Sequence, residues 1–201
     1  MGRVASGFSM SLDGFIAGPG DDVRQVFSWY FSGDTEFRFP GVGDRWAMKV
    51  SKASAQVLQE AVDAAGALVT GRRQFDNTNG WDGCHPANVP VFVVSHRPAP
   101  AEWLKAHPNA PFTFVPEGVE AAIARAQKVA GDKTVIVDGA SIVHQAIRAG
   151  LVDEVAIDLV PVLLGQGVRY FDETGPTPIR LEHIRTVEGA GVTHLQFRVV
   201  K

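Results

Sequence analysis

The chain predicts an α/β fold with a mixed, mainly parallel central sheet, helices on both faces and antiparallel strands at its C-terminal end. Three observations predict it. Between residues 67 and 150, short β-branched runs alternate with segments whose apolar residues recur at helical spacing. After Gly150 the helical period gives way to three strand-like runs joined by glycine turns. No repeat, linker or low-complexity tract interrupts the 201 residues, a length that suits one well-buried domain, so residues 1–201 are expected to form a single unit.

Arg3 to Met10 reads as the first strand. Ser11 to Gly20 carries too much glycine and proline to be regular. Val23 to Phe31 is expected to form a short helix bearing Trp29 and Tyr30, and Ser32 to Arg45 a loop. Over Lys49 to Ala65 the apolar residues Val50, Ala53, Val57, Leu58, Ala61, Val62 and Ala65 recur at helical spacing, and Gly66 stops the pattern. Ala67 to Thr70 and Pro90 to Ser95 are buried strands. Ala101 to His107 is a brief helix, Phe112 to Val115 a strand, and Val119 to Ala130 a helix ended by Gly131. Thr134 to Val137 then forms a strand, and Ser141 to Ala149 a helix closed by Gly150. Val155 to Val162, Ile179 to Val187 and Gly191 to Val200 complete the strands, the last alternating with a period of two.

Composition removes several classes of function. Hydrophobic residues make up 45% of the chain and the formal net charge is −3, which describes a globule and gives no electrostatic case for nucleic acid or an anionic membrane. The apolar run Val155 to Leu164 is broken by Asp158 and Pro161, far short of a membrane span. The N-terminus starts directly on a strand pattern without a signal h-region. Cys84, the one cysteine, allows no intramolecular disulfide and fits a reducing compartment, so a cytoplasmic location is expected. With that single cysteine and no paired histidine spacing, no metal site is expected. Neither a P-loop nor the G-x-G-x-x-G fingerprint occurs.

Three strand-end turns remain: Thr70-Gly71-Arg72-Arg73, Ser95-His96-Arg97 and Asp138-Gly139-Ala140-Ser141. In a mainly parallel sheet all three lie along one carboxyl edge. They offer glycine turns with free amides, three arginines, a histidine and hydroxyls, chemistry suited to a long anion with two separated phosphates. Two carboxyls are candidate proton donors. Asp13 reads either as such an acid or as a turn aspartate bonded to its own backbone, and Asp138 as an acid or a structural cap. Asp34, Glu36 and Asp44 are further candidates, and Trp29 and Trp81 read as core residues or as walls for a flat ring.

The segments Ser11 to Ala17, Val69 to Phe75, Val91 to Arg97, Val137 to Ala140, Gly150 to Gly165 and Val192 to Arg198 resemble the dihydrofolate reductase-like superfamily. The branch is that of the C-terminal reductase domain of riboflavin-pathway deaminase–reductases. The resemblance covers essentially the whole chain outside residues 32–45, and it implies a three-layer sandwich.

It also implies NADPH as hydride donor to a small, heterocyclic, pyrimidine- or pteridine-like substrate, as in 5-amino-6-(5-phosphoribosylamino)uracil reductase. Thr70, Gly71, Arg72 and Arg73 would meet the adenosine-side phosphate, and Ser95, His96 and Arg97 the 2′-phosphate and adenine. Gly139, Ala140, Ser141 and Ile142 would meet the pyrophosphate, while Ile16 and Ala17 would cover the nicotinamide. Asp138-Gly139 stands where dihydrofolate reductases carry Gly-Gly and matches the riboflavin branch, whereas Phe15 stands where that branch carries a basic residue. The resemblance further implies a homodimer. A catalytically inactive NADP-binding protein and a true dihydrofolate reductase are the alternatives.

Overall fold

The computed structural model describes residues 2–172, 174–175 and 177–201. In chain order it contains β1 (Val4–Ser11), β2 (Phe15–Ala17), β3 (Thr35–Arg38), β4 (Ala47–Val50), α1 (Lys52–Ala64), β5 (Ala65–Gly71) and α2 (Arg72–Asn77). Then come β6 (Val91–Val94), α3 (Ala101–Ala106), β7 (Phe112–Val115), α4 (Val119–Ala130), β8 (Thr134–Val137) and α5 (Ala140–Arg148). The last strands are β9 (Glu154–Val160), β10 (Val168–Arg169), β11 (Leu181–Gly189) and β12 (Val192–Val199).

Eight strands form the central sheet in the order β11-β12-β9-β1-β8-β5-β6-β7. All pairings from β9 to β7 are parallel, and β12 runs against both of its neighbours. This is the mixed, mainly parallel α/β sheet with an antiparallel C-terminal end that the alternating pattern predicts. Because β1 sits between β8 and β9, its residues alternate between the two faces of the sheet.

One face carries Val4, Val69, Val135, Val137, Val155 and Ile157 and packs on α4 and α5 through Ile123, Ala126, Val143 and Ala146. The other face carries two separate apolar clusters. One, around Phe75, Trp81 and Trp103, lies over β5 and β6. The second, around Trp29, Met48, Val50 and Leu58, lies over β9 and β12. Between them the central strand is left uncovered: Gly7, in the middle of β1, is exposed.

Three expectations change. The 32–45 segment is not only loop, for Thr35–Arg38 is a strand paired antiparallel to Ala47–Val50. Its inward residue is Phe37, which joins the Trp29 cluster. The helix expected from Lys49 starts at Lys52, because Ser51 caps it by accepting from the Ser54 amide at 3.1 Å. Met48 and Val50 instead point inward from β4 at the strand spacing of two, and Val50 fits the helical pattern as well because it lies three residues before Ala53. The helix expected over Val23 to Phe31 shrinks to a 3-10 turn at Ser28–Phe31 with no side-chain cap, as expected where a short segment rich in aromatics cannot repay helix nucleation. Among the described residues, no helix is long and apolar enough to cross a membrane.

Candidate functional site

β8, β5 and β6 are neighbours in the sheet, so the turns that leave their carboxyl ends lie side by side. Val69 pairs with Val137, which sets Thr70 beside Asp138 and Gly71 beside Gly139 one and two residues further on. Gly139 adopts φ +85, a left-handed conformation that favours glycine, and a Cβ built there would lie 3.7 Å from the Gly71 nitrogen and 3.8 Å from Thr70 Oγ1. Helix α5 starts at this turn with no side-chain cap, so the amides of Ala140 and Ser141 face the carboxyl edge at the positive end of a helix. Thr70 is fully buried, and among the described residues its hydroxyl has no hydrogen-bond partner. A buried orphan hydroxyl beside an uncapped helix start is a place made for an external acceptor or donor.

The arginines are held in place. Arg72 Nε donates to Asp76 Oδ1 at 2.7 Å and Arg72 Nη1 to the Pro98 carbonyl at 3.0 Å, while Arg97 Nη2 donates to Asp76 Oδ2 at 3.2 Å. One carboxylate thus ties the turn after β5 to the turn after β6. Arg73 makes a two-pronged contact with Asp21 at 3.0 and 2.8 Å, and Asn77 adds a third bond to Asp21 at 2.9 Å. Asp21 therefore anchors the segment that follows β2 onto α2. Asp21 and Asp76 were not singled out in the sequence, because a lone aspartate carries no pattern.

Other expected residues sit differently. The Ser95 hydroxyl donates to the Arg97 carbonyl at 2.8 Å and accepts from the Arg97 amide at 3.0 Å, so it closes its own turn rather than facing outward. His96 and Arg97 are exposed. Ile142 has its side chain buried in the core against Gly71, and its amide donates to the Gly139 carbonyl at 2.9 Å. Ile16 and Ala17 lie in β2, which pairs with β10 above the end of β1. Trp81 and Trp29 are both buried core residues. Glu36 pairs with Arg38 on the surface, Asp34 accepts from the Thr35 hydroxyl at 3.3 Å, and the Asp44 side chain lies outside the described residues.

The two candidate acids differ in kind. Asp13 accepts from the Ser11 hydroxyl at 2.6 Å, the Leu164 amide at 3.1 Å and the Gly165 amide at 2.7 Å. The Ser11 bond, helped by the two amides, lowers its pKa to about 2. Asp13 is thus a clasp that stays ionised, and it holds no proton to donate at neutral pH. Asp138 is half-buried, and burial of its carboxyl raises its pKa to about 6 against the opposing pull of the Gly139 amide at 2.7 Å. It is the carboxyl at this edge able to carry a proton near neutrality.

Sheet alternation sets Asp138 and Thr70 on the face of the two separate clusters, beside exposed Gly7. Ser9, Asp158 and His194 lie on the same face further toward β12. The Trp29 indole donates to Ser9 Oγ at 2.9 Å, closing that end of the groove. These residues share one face of the sheet, which runs from the phosphate-suited turns past Gly7 to Asp158. Asp158 and His194 escaped notice in the sequence because 36 positions separate them.

Comparison with known proteins follows the same lines. The RibD C-terminal domain family matches residues 3–193. A curated relative, the uncharacterized protein YwjB of Bacillus subtilis, is 37% identical over 71 residues, 35% of this chain and 41% of that protein. The match thus spans about two fifths of the relative's length. A riboflavin biosynthesis protein assigned by similarity in Shewanella sp. PV-4 superposes with a TM-score of 0.73 at 20% identity, covering 99% of both chains. Dihydrofolate reductase from Enterococcus faecalis, in complex with NADP(H) and RAB-propyl, superposes with a TM-score of 0.58 at 13% identity, covering 99% of this chain and 97% of that one.

Proposed function

The chain belongs to the RibD C-terminal domain family, the reductase domain of riboflavin biosynthesis, and from that membership we propose that it is an NADPH-dependent reductase of a small pyrimidine- or pteridine-like heterocycle. The observation that carries the cofactor reading is the buried, partnerless Thr70 hydroxyl beside the uncapped start of α5. A pyrophosphate supplies the acceptor oxygens that such donors lack.

In this reading Thr70, Gly71, Gly139, Ala140 and Ser141 hold the pyrophosphate. Arg72 and Arg97, pre-oriented by Asp76, with Arg73 and His96 nearby, take the adenosine-side phosphate. Ser95 shapes its turn and does not touch the ligand. Ile16 and Ala17, pinned by the Asp13 clasp, cover the nicotinamide end and exclude water. NADPH supplies the hydride when bound. Asp138 holds the proton destined for the atom next to the reduced carbon, and its raised pKa keeps part of the population protonated near neutral pH. Two copies pair in this proposal through the exposed edge strand β11, where Leu181 and Ile184 face outward.

The test is spectrophotometric. NADPH is mixed with the protein and a panel of aminopyrimidines, uracils and pteridines, and loss of the reduced-nicotinamide absorbance is followed. NADPH binding is measured separately by fluorescence. Turnover with one member establishes the reductase, and binding without turnover across the panel leaves a nucleotide-binding protein.

A further inference from the structure

A chain of hydrogen bonds ends in the wall of the groove at the far side of Gly7 from Asp138. The Ser51 hydroxyl donates to Ser54 Oγ at 2.9 Å, Ser54 Oγ lies 2.9 Å from His194 Nε2, and His194 Nδ1 lies 2.6 Å from Asp158 Oδ1. Their order fixes the roles. A carboxylate only accepts, so Nδ1 donates to Asp158, and the Ser54 hydroxyl, which already accepts from Ser51, donates to Nε2. Every hydrogen points toward Asp158.

This is a Ser-His-Asp sequence of contacts, yet Ser54 is not a nucleophile. It is fully buried, and a Cβ on Gly189 would lie 2.3 Å from its oxygen, so the backbone of β11 seals it off. The open end is Asp158. The His194 side chain is 5% exposed and that of Asp158 25%, and among the described residues no hydrogen bond reaches Asp158 Oδ2. Asp158 lies beside Ser9 on one flank of β1, while Asp138 lies beside Gly7 on the other, one residue beyond the paired Val137 and Ser6. Two strand spacings and two residues of rise separate their Cα atoms, about 12 Å, with only Gly7 and the small Ala156 side chain between them on that face. That gap admits one flat ring.

We propose that Asp158, aimed by His194 and Ser54, is the specificity-determining acceptor for the N–H edge of the substrate heterocycle. The inference rests on the reductase reading above. A ring laid over Gly7 presents one edge to Asp138 and the other to Asp158. A fixed carboxylate there selects amino or lactam N–H groups and rejects rings that offer only carbonyl oxygens. His194 is a positioning residue: it touches Asp158, not the ring.

The probe is 5,6-diaminouracil, titrated calorimetrically into the full chain with and without NADP⁺, and NADP⁺ affinity is measured alone in each variant. Asp158→Asn, which turns half of the acceptor into a donor, is expected to weaken the probe about tenfold or more, the scale of one charged hydrogen bond. His194→Gln places its amide nitrogen near the Nε2 position and leaves Asp158 unaimed, so it should weaken the probe similarly. His194→Asn places its nitrogen near the Nδ1 position and should retain binding within about threefold, since one hydrogen bond to Asp158 is kept. NADP⁺ affinity should be the same in all of them. Wild-type strength in Asp158→Asn, equal weakening in the two His194 variants, or a wild-type chain that ignores the probe each overturns the assignment. Absence of NADP⁺ binding by the wild-type chain overturns the cofactor reading alone, because the probe is also titrated without nucleotide.

Discussion

Asp13 and Gly165 meet across 152 positions of sequence, the Gly165 amide donating to Asp13 Oδ2 at 2.7 Å. With the Leu164 amide on Oδ1, this one carboxylate fastens the turn after β1 to the segment before β10. The segment carrying Ile16 and Ala17 is thus held from below.

Asp13 has a pKa of about 2 against an ordinary 3.8. A depressed folded pKa stabilises the fold above the unfolded value, and that contribution is lost as pH falls through the folded one. Between pH 4 and pH 2, wild type should lose thermal stability more steeply than Asp13→Asn. The variant should begin lower, since an amide cannot accept from all three donors. Parallel melting curves through this window would remove the clasp as their cause.

Asp138 has the opposite sign. Its pKa is raised to about 6, so its contribution to stability is full below the unfolded value near 3.8 and is lost as pH rises through 6. Asp138→Asn should therefore melt higher than wild type at pH 8, by about 1–2 kcal/mol after discounting for partial exposure. The same variant should lose most turnover and the pH dependence centred near 6. Calorimetric melts and a pH–rate profile check both halves.

Arg72→Ala removes a guanidinium already aimed by Asp76 and the Pro98 carbonyl. NADPH binding should weaken by about 1.5–3 kcal/mol, the range for a hydrogen bond to a charged group. Asp76→Ala should weaken it less, because both arginines remain but lose their common anchor. Titration calorimetry reads both, and unchanged affinity in Arg72→Ala would move the phosphate elsewhere.

Gly167 adopts φ +140, and a Cβ there would lie 2.0 Å from the Ala17 carbonyl oxygen. Gly167→Ala should destabilise the fold by roughly 2–4 kcal/mol, within the range for backbone strain combined with overpacking. It should also disorder the β2–β10 ribbon, seen as faster amide exchange in residues 15–18.

The parallel half of the fold was legible because its strands are buried on both sides and its helices end on glycine, as at Gly131 and Gly150. The three turns were legible for the same reason: each closes a β-branched run. β3 was not, since only Phe37 in Thr35–Arg38 points inward and four residues between glycines and prolines make a weak period. The start of α1 lies later than the pattern places it because Val50, the last inward residue of β4, stands three positions before Ala53 and so also continues the helical spacing, and Ser51 alone decides. Among the acids, sequence could rank neither Asp13 nor Asp138, for the difference lies in a folded contact with the Ser11 hydroxyl, helped by amides 151 and 152 positions away, at Asp13 and in burial at Asp138. The Ser54–His194–Asp158 chain spans 140 residues and became visible only through the register of β9 with β12.

The position of β1 governs how the molecule is assembled. Its neighbours on the sheet are β8 and β9, so Ala5 waits for Ile136 on one side and Glu154 on the other. As the polypeptide emerges, the first strand made lacks its first partner until β8 is complete at Val137 of the 201 residues, and its second until β9 is complete at Val160. Loop-closure entropy then makes the centre of the sheet a slow, late event, and the apolar flank of residues 4–10 is exposed to aggregation meanwhile. The groove over Gly7 can exist only once that final closure has taken place.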